Sequence, residues 1–462
     1  MNKSILAIDI GTTNITAIAA ANDFSNRINI LGVGKSKSKG VKKGNIVDIN
    51  LAGGSIKEAV TGALNSIGNT DPSVIVSISG ANTKTLRSNG SINVRGLITH
   101  SEIKQALKMA LYNAQVIPDY DVIHVLPIFF RVDDGATISN PLNMNGSRLE
   151  VSVSLITAKK TSLTNVRNAL KQANLEVDKF VLSGYANTLS TLEKDQKKVG
   201  TAVINFGGST TQVVVYKGSS IIYNDFLPIG SEHITDDISV MLHTPYSAAN
   251  MIKKQYGTLL SINDDDNENS IKKVKLPILG NETETKEISL DQIQPILHAR
   301  IEEILCLIYD KLKESSVLEN MDGGFILTGG MTHIPGIKEL ASEVFGHLPV
   351  KISNPKNIQN GYIDFNDPSM ATIVGLLLYE LDTEKSFELN SKSELRSTEF
   401  AKEQETIQNN QTVQHTNTVK EHEQYEQNSL KDIQDIKTVK EQTQDEKPKK
   451  LGKIWDKLSR WL

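Results

Sequence analysis

The sequence predicts an α/β fold of two similar lobes, and three observations predict it. Short apolar strands alternate with amphipathic helices over roughly residues 1–384. Two stretches, ILAIDIGTTNITAIAA (5–20) and TAVINFGGSTTQVVVY (201–216), share one pattern: buried strand, Gly/Thr turn, second strand. Either the hairpins coincide by chance, or a duplicated unit sets two lobes across one cleft. The alternation then stops abruptly near Glu384, so the fold is confined to the first part of the chain.

Strands are expected at ILAIDI (5–10), INILGVG (28–34), SVIVSIS (73–79), VIHVLPIFF (122–130), LEVSVSLIT (149–157), GTAVINF (200–206), QVVVYK (212–217) and GGFILTGG (323–330). Each is a short apolar run rich in β-branched residues. Helices are expected at SIKEAVTGALNSI (55–67), SEIKQALKMALYNA (101–114), SLTNVRNALKQAN (162–174) and RIEEILCLIYDKLKES (300–315), where apolar residues recur every three or four positions. Cys306 is placed in the core by this pattern, and INDDDNENS (262–270) reads as an exposed acidic loop.

Composition narrows the function. The 462 residues carry a net charge of −4, which argues against a nucleic-acid partner. The lysines Lys35, Lys37, Lys39, Lys42 and Lys43 read as a solvated loop. Gly34-Lys35-Ser36 ends like a phosphate-binding P-loop, but that motif needs glycine where Asn29 stands. The single cysteine excludes a disulfide scaffold and a cysteine metal site. The first residues read as a strand rather than a signal peptide, and the longest apolar run, IVGLLLYEL (373–381), is far too short to cross a membrane. These features predict a protein that is neither secreted nor integral to the membrane.

Chemistry concentrates in the Gly/Thr turns. In Asp9-Ile10-Gly11-Thr12-Thr13 a strand ends in a carboxylate, glycine lets the backbone approach a ligand, and two hydroxyls follow. That arrangement suits a phosphate, with Asp9 placed to hold a metal ion through water. Asn205, Gly207, Gly208, Ser209 and Thr210 supply a second jaw. Gly329 and Gly330, after the strand FILT, would let an adenosine pack on bare backbone. Together these turns point to a nucleotide gripped between lobes.

The end of the chain is different. From about Ser386 to Lys447 it is polar, charged and free of glycine and proline, which predicts disorder or transient helix. In KPKKLGKIWDKLSRWL (447–462), Leu451, Ile454, Trp455, Leu458, Trp461 and Leu462 fall on one helical face, flanked by Lys450, Lys453, Lys457 and Arg460. Both tryptophans of the chain lie here. The pattern predicts an amphipathic helix lying in the plane of an anionic lipid surface, with docking on a protein groove or back on its own domain as the alternative.

Taken together, these residues resemble the FtsA family of bacterial actin-like cell-division proteins. The likeness is carried by DIGTT (9–13), GVGKSKSKGVKKGNIVDI (32–49), VIHVLPIFF (122–130), NPLNMNGSRLEVSVSLIT (140–157), LTGGMTHIPGI (327–337) and DPSMATIVGLLLY (367–379). The resemblance implies an actin-like two-lobed ATPase fold of duplicated ribonuclease-H-like domains with a small inserted α+β subdomain. It divides the chain into a first lobe (1–81 and 161–197) interrupted by the insertion (82–160), and a second-lobe core (198–228 and 313–365) interrupted by a smaller subdomain (229–312). A return helix (366–385), a disordered linker (386–446) and the amphipathic helix (447–462) follow.

It further implies ATP and Mg²⁺ as cofactors, self-assembly into filaments, and attachment to the inner face of the cytoplasmic membrane at the division site. The implied partners are the C-terminal peptide of FtsZ, anionic inner-membrane lipids, and other divisome proteins through the insertion. Arg300 matches a basic residue of the FtsZ-facing region, and Lys253 in SAANMIKKQYG (247–257) matches a nucleotide-side lysine. Three departures bear on catalysis. Asn205 stands where the family has aspartate, Asn250 where glutamate is usual, and LSGYANTLSTL (182–192) has no Glu or Gln to position a water. Binding without efficient hydrolysis is therefore expected. The alternatives are a pilus-assembly ATPase-like platform protein and, further off, a sugar kinase or exopolyphosphatase.

Overall fold

The computed structural model describes residues 4–22, 28–65, 72–260, 273–346, 348–356, 358, 365–381 and 387–396. The acidic run 262–270 and the predicted amphipathic helix lie outside them.

The first lobe opens with a meander of β1 (Ser4–Ile10), β2 (Asn14–Asn22) and β3 (Ile28–Lys37). A hairpin of β4 (Val41–Lys42) and β5 (Asn45–Ile46) leads into α1 (Ile49–Leu64). This helix starts ahead of the predicted Ser55 because the Asp48 carboxylate caps it, accepting from the Leu51 N–H. Strand β6 (Ser73–Ile78) follows, and the chain then leaves the lobe.

The excursion is a three-stranded antiparallel sheet with one helix: β7 (Thr83–Leu97), α2 (His100–Asn113), β8 (Tyr120–Val132) and β9 (Asn145–Lys159), in the order β7-β9-β8. Thr99 and Glu102 close a capping box on α2. The chain re-enters the first lobe through α3 (Lys160–Lys171), β10 (Lys179–Leu182), α4 (Ser183–Thr191) and α5 (Lys194–Val199).

The second lobe repeats the plan with β11 (Thr201–Phe206), β12 (Thr211–Lys217) and β13 (Ser220–Leu227). Helices α6 (Ser231–Met241) and α7 (Tyr246–Tyr256), the hairpin β14 (Lys273–Ile278) and β15 (Asn281–Ser289), and α8 (Gln294–Glu314) form its smaller part. Then come β16 (Phe325–Thr328), α9 (Ile337–Phe345), β17 (Val350–Ile352) and α10 (Ala371–Leu381). The two sheets read β10-β6-β1-β2-β3 and β17-β16-β11-β12-β13. In each, an antiparallel meander continues into two strands parallel to its first. The duplication suggested by the two hairpins is thus present in the strand order.

Helix α10 carries the chain back to the first lobe and lies directly on α4. A Cβ at Gly375 would sit 1.9 Å from the Ala186 carbonyl oxygen, so the helices meet backbone to backbone. Ser190 Oγ donates to Ala371 O at 2.8 Å and Thr372 Oγ1 to Asn187 Oδ1 at 2.9 Å across the same contact.

Two expectations need correction. On α8 the buried seam is Ile301, Ile304, Leu305, Ile308 and Leu312. Cys306 lies one residue, or about 100°, off that seam and is exposed beside Glu302 and Asp310 rather than buried. The second concerns the linker. Its expected start at 386 fails for residues 387–396, which fold into a tight turn on the edge of β8. Leu389 and Val125 exchange both backbone hydrogen bonds, at 3.0 and 3.1 Å, and Phe387, Leu389 and Leu395 complete the core of the inserted subdomain.

Glu388 fixes this turn. It is wholly buried, and its carboxylate accepts from Tyr185 Oη and Tyr379 Oη at 2.7 Å each and pairs with Arg396 at 3.0 Å. The Leu182 N–H donates to His124 Nε2, so the proton of that ring sits on Nδ1, 3.4 Å from Glu388. Burial alone would raise the Glu388 pKa. Arg396, His124 and Tyr185 outweigh it and hold the carboxyl at about 2. Its stabilising contribution is therefore complete above the ordinary value of 4.5 and is lost as pH falls through about 2.

Arg396→Met should destabilise the folded part by about 3–5 kcal/mol by stranding a buried charge. The double change with Glu388→Gln should recover part of that loss. Equal melting temperatures for the single and double variants would show that the ion pair is not what holds the turn.

Candidate nucleotide site

The parallel strands of both sheets end at one cleft. β1 and β6 deliver Asp9, Ile10, Ser77 and Ser79 from the first lobe, and β11 and β16 deliver Asn205, Phe206, Gly329 and Gly330 from the second. Between them is a cavity of about 290 Å³. Of the predicted residues, Asp9, Gly11, Thr12, Thr13, Asn205, Gly207, Gly208, Thr210, Gly329 and Gly330 line it.

The two phosphate-type turns touch each other. The Ser209 N–H donates to Thr12 Oγ1 at 3.1 Å, and the Lys43 N–H donates to Ser209 Oγ at 3.2 Å. Thr13 Oγ1 donates to Glu232, in the first turn of α6. Ser209 therefore sits behind the cavity wall, as a bridge between the lobes, rather than on its surface. Gly208 is required by this approach, since a Cβ there would lie 2.0 Å from Thr13 Oγ1. Gly329 has φ +90°, and its Cβ would fall 2.4 Å from Phe206 O and 2.5 Å from Asn205 Oδ1. A side chain is excluded on both counts.

Asp9 accepts from Ser77 Oγ at 2.7 Å, and that hydroxyl in turn accepts from the Ile10 N–H. Burial pushes the Asp9 carboxyl up to about 6, with the Ser77 hydrogen bond opposing. A carboxylate so poorly solvated is stabilised by any cation brought to it. Its counterpart Asn205 brings no charge. Among the described residues no three His, Cys, Asp or Glu side chains gather as a metal cage. A Mg²⁺ ion fits this donor set only with water and ligand oxygens supplying most of its six positions.

Lys253 is not on the cavity. Its ammonium donates to Ser231 O, Ser231 Oγ and Thr235 Oγ1 at 2.6–2.8 Å, tying α7 to α6, and burial lowers its pKa to about 8. The next residue, Lys254, lines the cavity instead, as does Lys35. Asn250 does not reach it. Arg300 lies apart on α8, where its guanidinium grips Asp237 of α6 at 2.7 and 2.9 Å and also contacts Glu303.

Sequence reasoning missed Ser77, Ser183 and Gln212. Gln212, the second residue of β12 and directly before its three valines, is 5% exposed and lines the cavity beside Ser183, whose Oγ donates to it at 2.6 Å. The segment 182–192 thus lacks a glutamine of its own, but one reaches it from the other lobe. A lone amide in a valine-rich strand was the available signal.

Comparison with known proteins follows the same lines. The family model for cell division protein FtsA matches residues 202–375, and that for the SHS2 domain inserted in FtsA matches 80–157. Cell division protein FtsA of Helicobacter pylori (strain ATCC 700392 / 26695) is 32% identical over 421 residues, covering 85% of each chain. That of Bacillus subtilis (strain 168) is 31% identical over 381 residues, covering 82% of this chain and 83% of its own. Among solved structures, a PilM-PilN type IV pilus biogenesis complex aligns with TM-score 0.56 at 15% identity, over 81% of this chain and 98% of that one. MreB5 of Spiroplasma citri bound to ADP aligns with TM-score 0.50 at 14% identity, over 83% and 98%. These two likenesses are of fold, and they identify it as actin-like. With nearly a third of the aligned residues identical over more than four fifths of its length, the chain belongs to the FtsA family of cell division proteins.

Proposed function

We propose that the chain binds ATP between its lobes, assembles into actin-like filaments, and holds FtsZ against the inner face of the cytoplasmic membrane at the division site. The observation that carries this reading is the cleft, where Gly-rich turns from two lobes of one strand order close on a single cavity. The solved MreB5 neighbours, bound to ADP and to AMPPNP, support a nucleotide as its occupant.

In this reading Gly11, Thr12, Thr13, Gly207, Gly208 and Thr210 face the phosphates, Gly329 and Gly330 face the adenosine, and Asp9 holds Mg²⁺ through water. Lys254 takes the cleft position that the sequence assigned to Lys253. Asn205 and Asn250 leave little to drive hydrolysis, so ATP serves assembly more than turnover.

FtsZ, through its C-terminal peptide, is assigned to the smaller part of the second lobe. Arg300 offers a peptide carboxylate only what Asp237 and Glu303 leave free. Val240 and Met241 nearby on α6, 68% and 64% exposed, add an apolar surface. The inserted subdomain is left for other divisome proteins. Among the described residues no helix is long and apolar enough to cross a membrane. Membrane contact is assigned to the cationic segment 447–462, whose sequence has the pattern of an amphipathic helix and which lies outside the described residues. A single short helix binds weakly, and a filament that presents many binds firmly.

The central test is purified protein with ATP, FtsZ and anionic liposomes, with and without residues 447–462, scored by sedimentation and electron microscopy. Trp455→Glu with Trp461→Glu should cut liposome cosedimentation by about tenfold while leaving the thermal melt unchanged. Unreduced cosedimentation would remove the tail from the mechanism. Asn205→Asp should tighten Mg²⁺-dependent ATP binding about fivefold by restoring a carboxylate. If titration gives equal affinity with and without Mg²⁺ in both proteins, Asp9 is not a metal position.

A further inference from the structure

We infer that a one-way chain of hydrogen bonds couples the floor of the cleft to the entry of the inserted subdomain, so that an anion on the floor loosens the hold on that subdomain. This rests on the reading of the cleft as a nucleotide site.

Four contacts make the chain. Ser183 Oγ donates to Gln212 Oε1 at 2.6 Å, and Gln212 Nε2 donates to Asn224 Oδ1 at 2.9 Å. Asn224 Nδ2 donates to Thr83 Oγ1 at 3.0 Å, and Thr83 Oγ1 donates to Gly80 O at 2.7 Å. The chain begins in the first lobe on α4, crosses to β12 and β13 of the second lobe, and returns to the first residue of β7. Only its beginning, Ser183 and Gln212, lines the cavity.

Every donor points the same way. Turning one amide alone sets like against like at the Gln212–Asn224 contact; turning both reverses the chain, with Thr83 Oγ1 donating to Asn224 Oδ1 and the bond to Gly80 O given up. Gln212 cannot retreat from it. A Cβ at Gly80 would lie 2.6 Å from its Nε2, and one at Gly184 would lie 2.9 Å from its carboxamide carbon. Those two glycines leave room for the amide and nothing more. A second contact at the far end of β13, Ser220 Oγ to Leu126 O at 3.4 Å, rests the insertion on the same edge strand.

The coupling follows from proton count. The Ser183 hydroxyl has one proton, and it is given to Gln212. An anionic oxygen on the cavity floor is the stronger acceptor and takes it. Gln212 Oε1 then lacks its buried donor, both amides turn over so that Gln212 Nε2 donates to Ser183 Oγ, and Thr83 Oγ1 turns to Asn224 Oδ1 and leaves Gly80 O. Loss of one buried hydrogen bond corresponds to about a fivefold change in a local opening equilibrium.

The test is amide hydrogen exchange across residues 83–97 of the full chain, with and without AMPPNP. In the wild-type protein the nucleotide should speed exchange at the start of β7 about fivefold. Asn224→Leu lies off the cavity and should keep AMPPNP affinity within about twofold. It should exchange fast without nucleotide and show no further response. Thr83→Val, a near match in shape, should behave alike and serves if Asn224→Leu fails to fold. A full nucleotide response in the variant that folds overturns the inference. AMPPNP binding by the wild type with no response in β7 overturns it alone, whereas no AMPPNP binding at all overturns the cleft reading with it.

Discussion

A carboxylate taken wholly out of water must find its partners as the chain folds, and Glu388 finds them in three separate parts. Tyr185 comes from α4 of the first lobe, Tyr379 from α10, and His124 from β8 of the inserted subdomain. Arg396, eight residues on, neutralises the charge. Losing any of these contacts would leave a buried charge short of hydrogen bonds. The same group thus fixes where the insertion stands on the lobe and holds the turn 387–396 against both. A helix returning from the second lobe and a subdomain inserted in the first are joined through one side chain.

The lobes are joined to each other in two unlike ways. Beneath the cleft, Val203, Val214, Tyr216 and Ile326 of the second lobe enter the apolar core of the first, and Tyr216 stacks on Tyr185 at 6.4 Å. That seam is apolar, and opening it would expose its area at a cost of about 25 cal/mol per Å². Around the cavity the contacts are polar instead, carried by Thr12, Thr13, Lys43, Ser209 and Glu232. Polar contacts exchange readily for water or for a ligand's oxygens. A hinge on the apolar side and an exchangeable closure on the other is what a two-lobed clamp requires.

How much of this was legible in the sequence depended on the range of the interactions involved. The phosphate-type turns were legible because strand, glycine and hydroxyl residues are consecutive in the chain, and the likeness of the two hairpins marked the duplication. Lys253 and Lys254 were not separable, because adjacent residues on α7 differ by about 100° in direction and only the position of α6 decides which one faces the cleft. Gln212 escaped notice because its partners Ser183 and Asn224 come from elsewhere in the chain. The turn 387–396 was hidden by averaging: three apolar residues vanish in a long polar stretch, yet suffice when a ready-made sheet edge receives them. Cys306 was misplaced because it directly follows the buried Ile304 and Leu305 in an apolar run, and only the packing of α8 shows where the edge of the seam falls.

The two phosphate-type turns have the same backbone plan but have diverged in charge. Asp9 is held in a site dry enough to push it to about 6, while Asn205 packs against Gly329 with no charge to desolvate. Two carboxylates facing one small cavity would repel each other and any polyphosphate between them, and a metal ion would be needed to hold all three together. Replacing one by an amide lowers that repulsion and with it the dependence on the metal. It also removes an acceptor that could draw a proton from water. An amide at 205 therefore leaves Asp9 as the one charge that the two turns bring to the cavity, and the demand for a cation there is set by that residue alone.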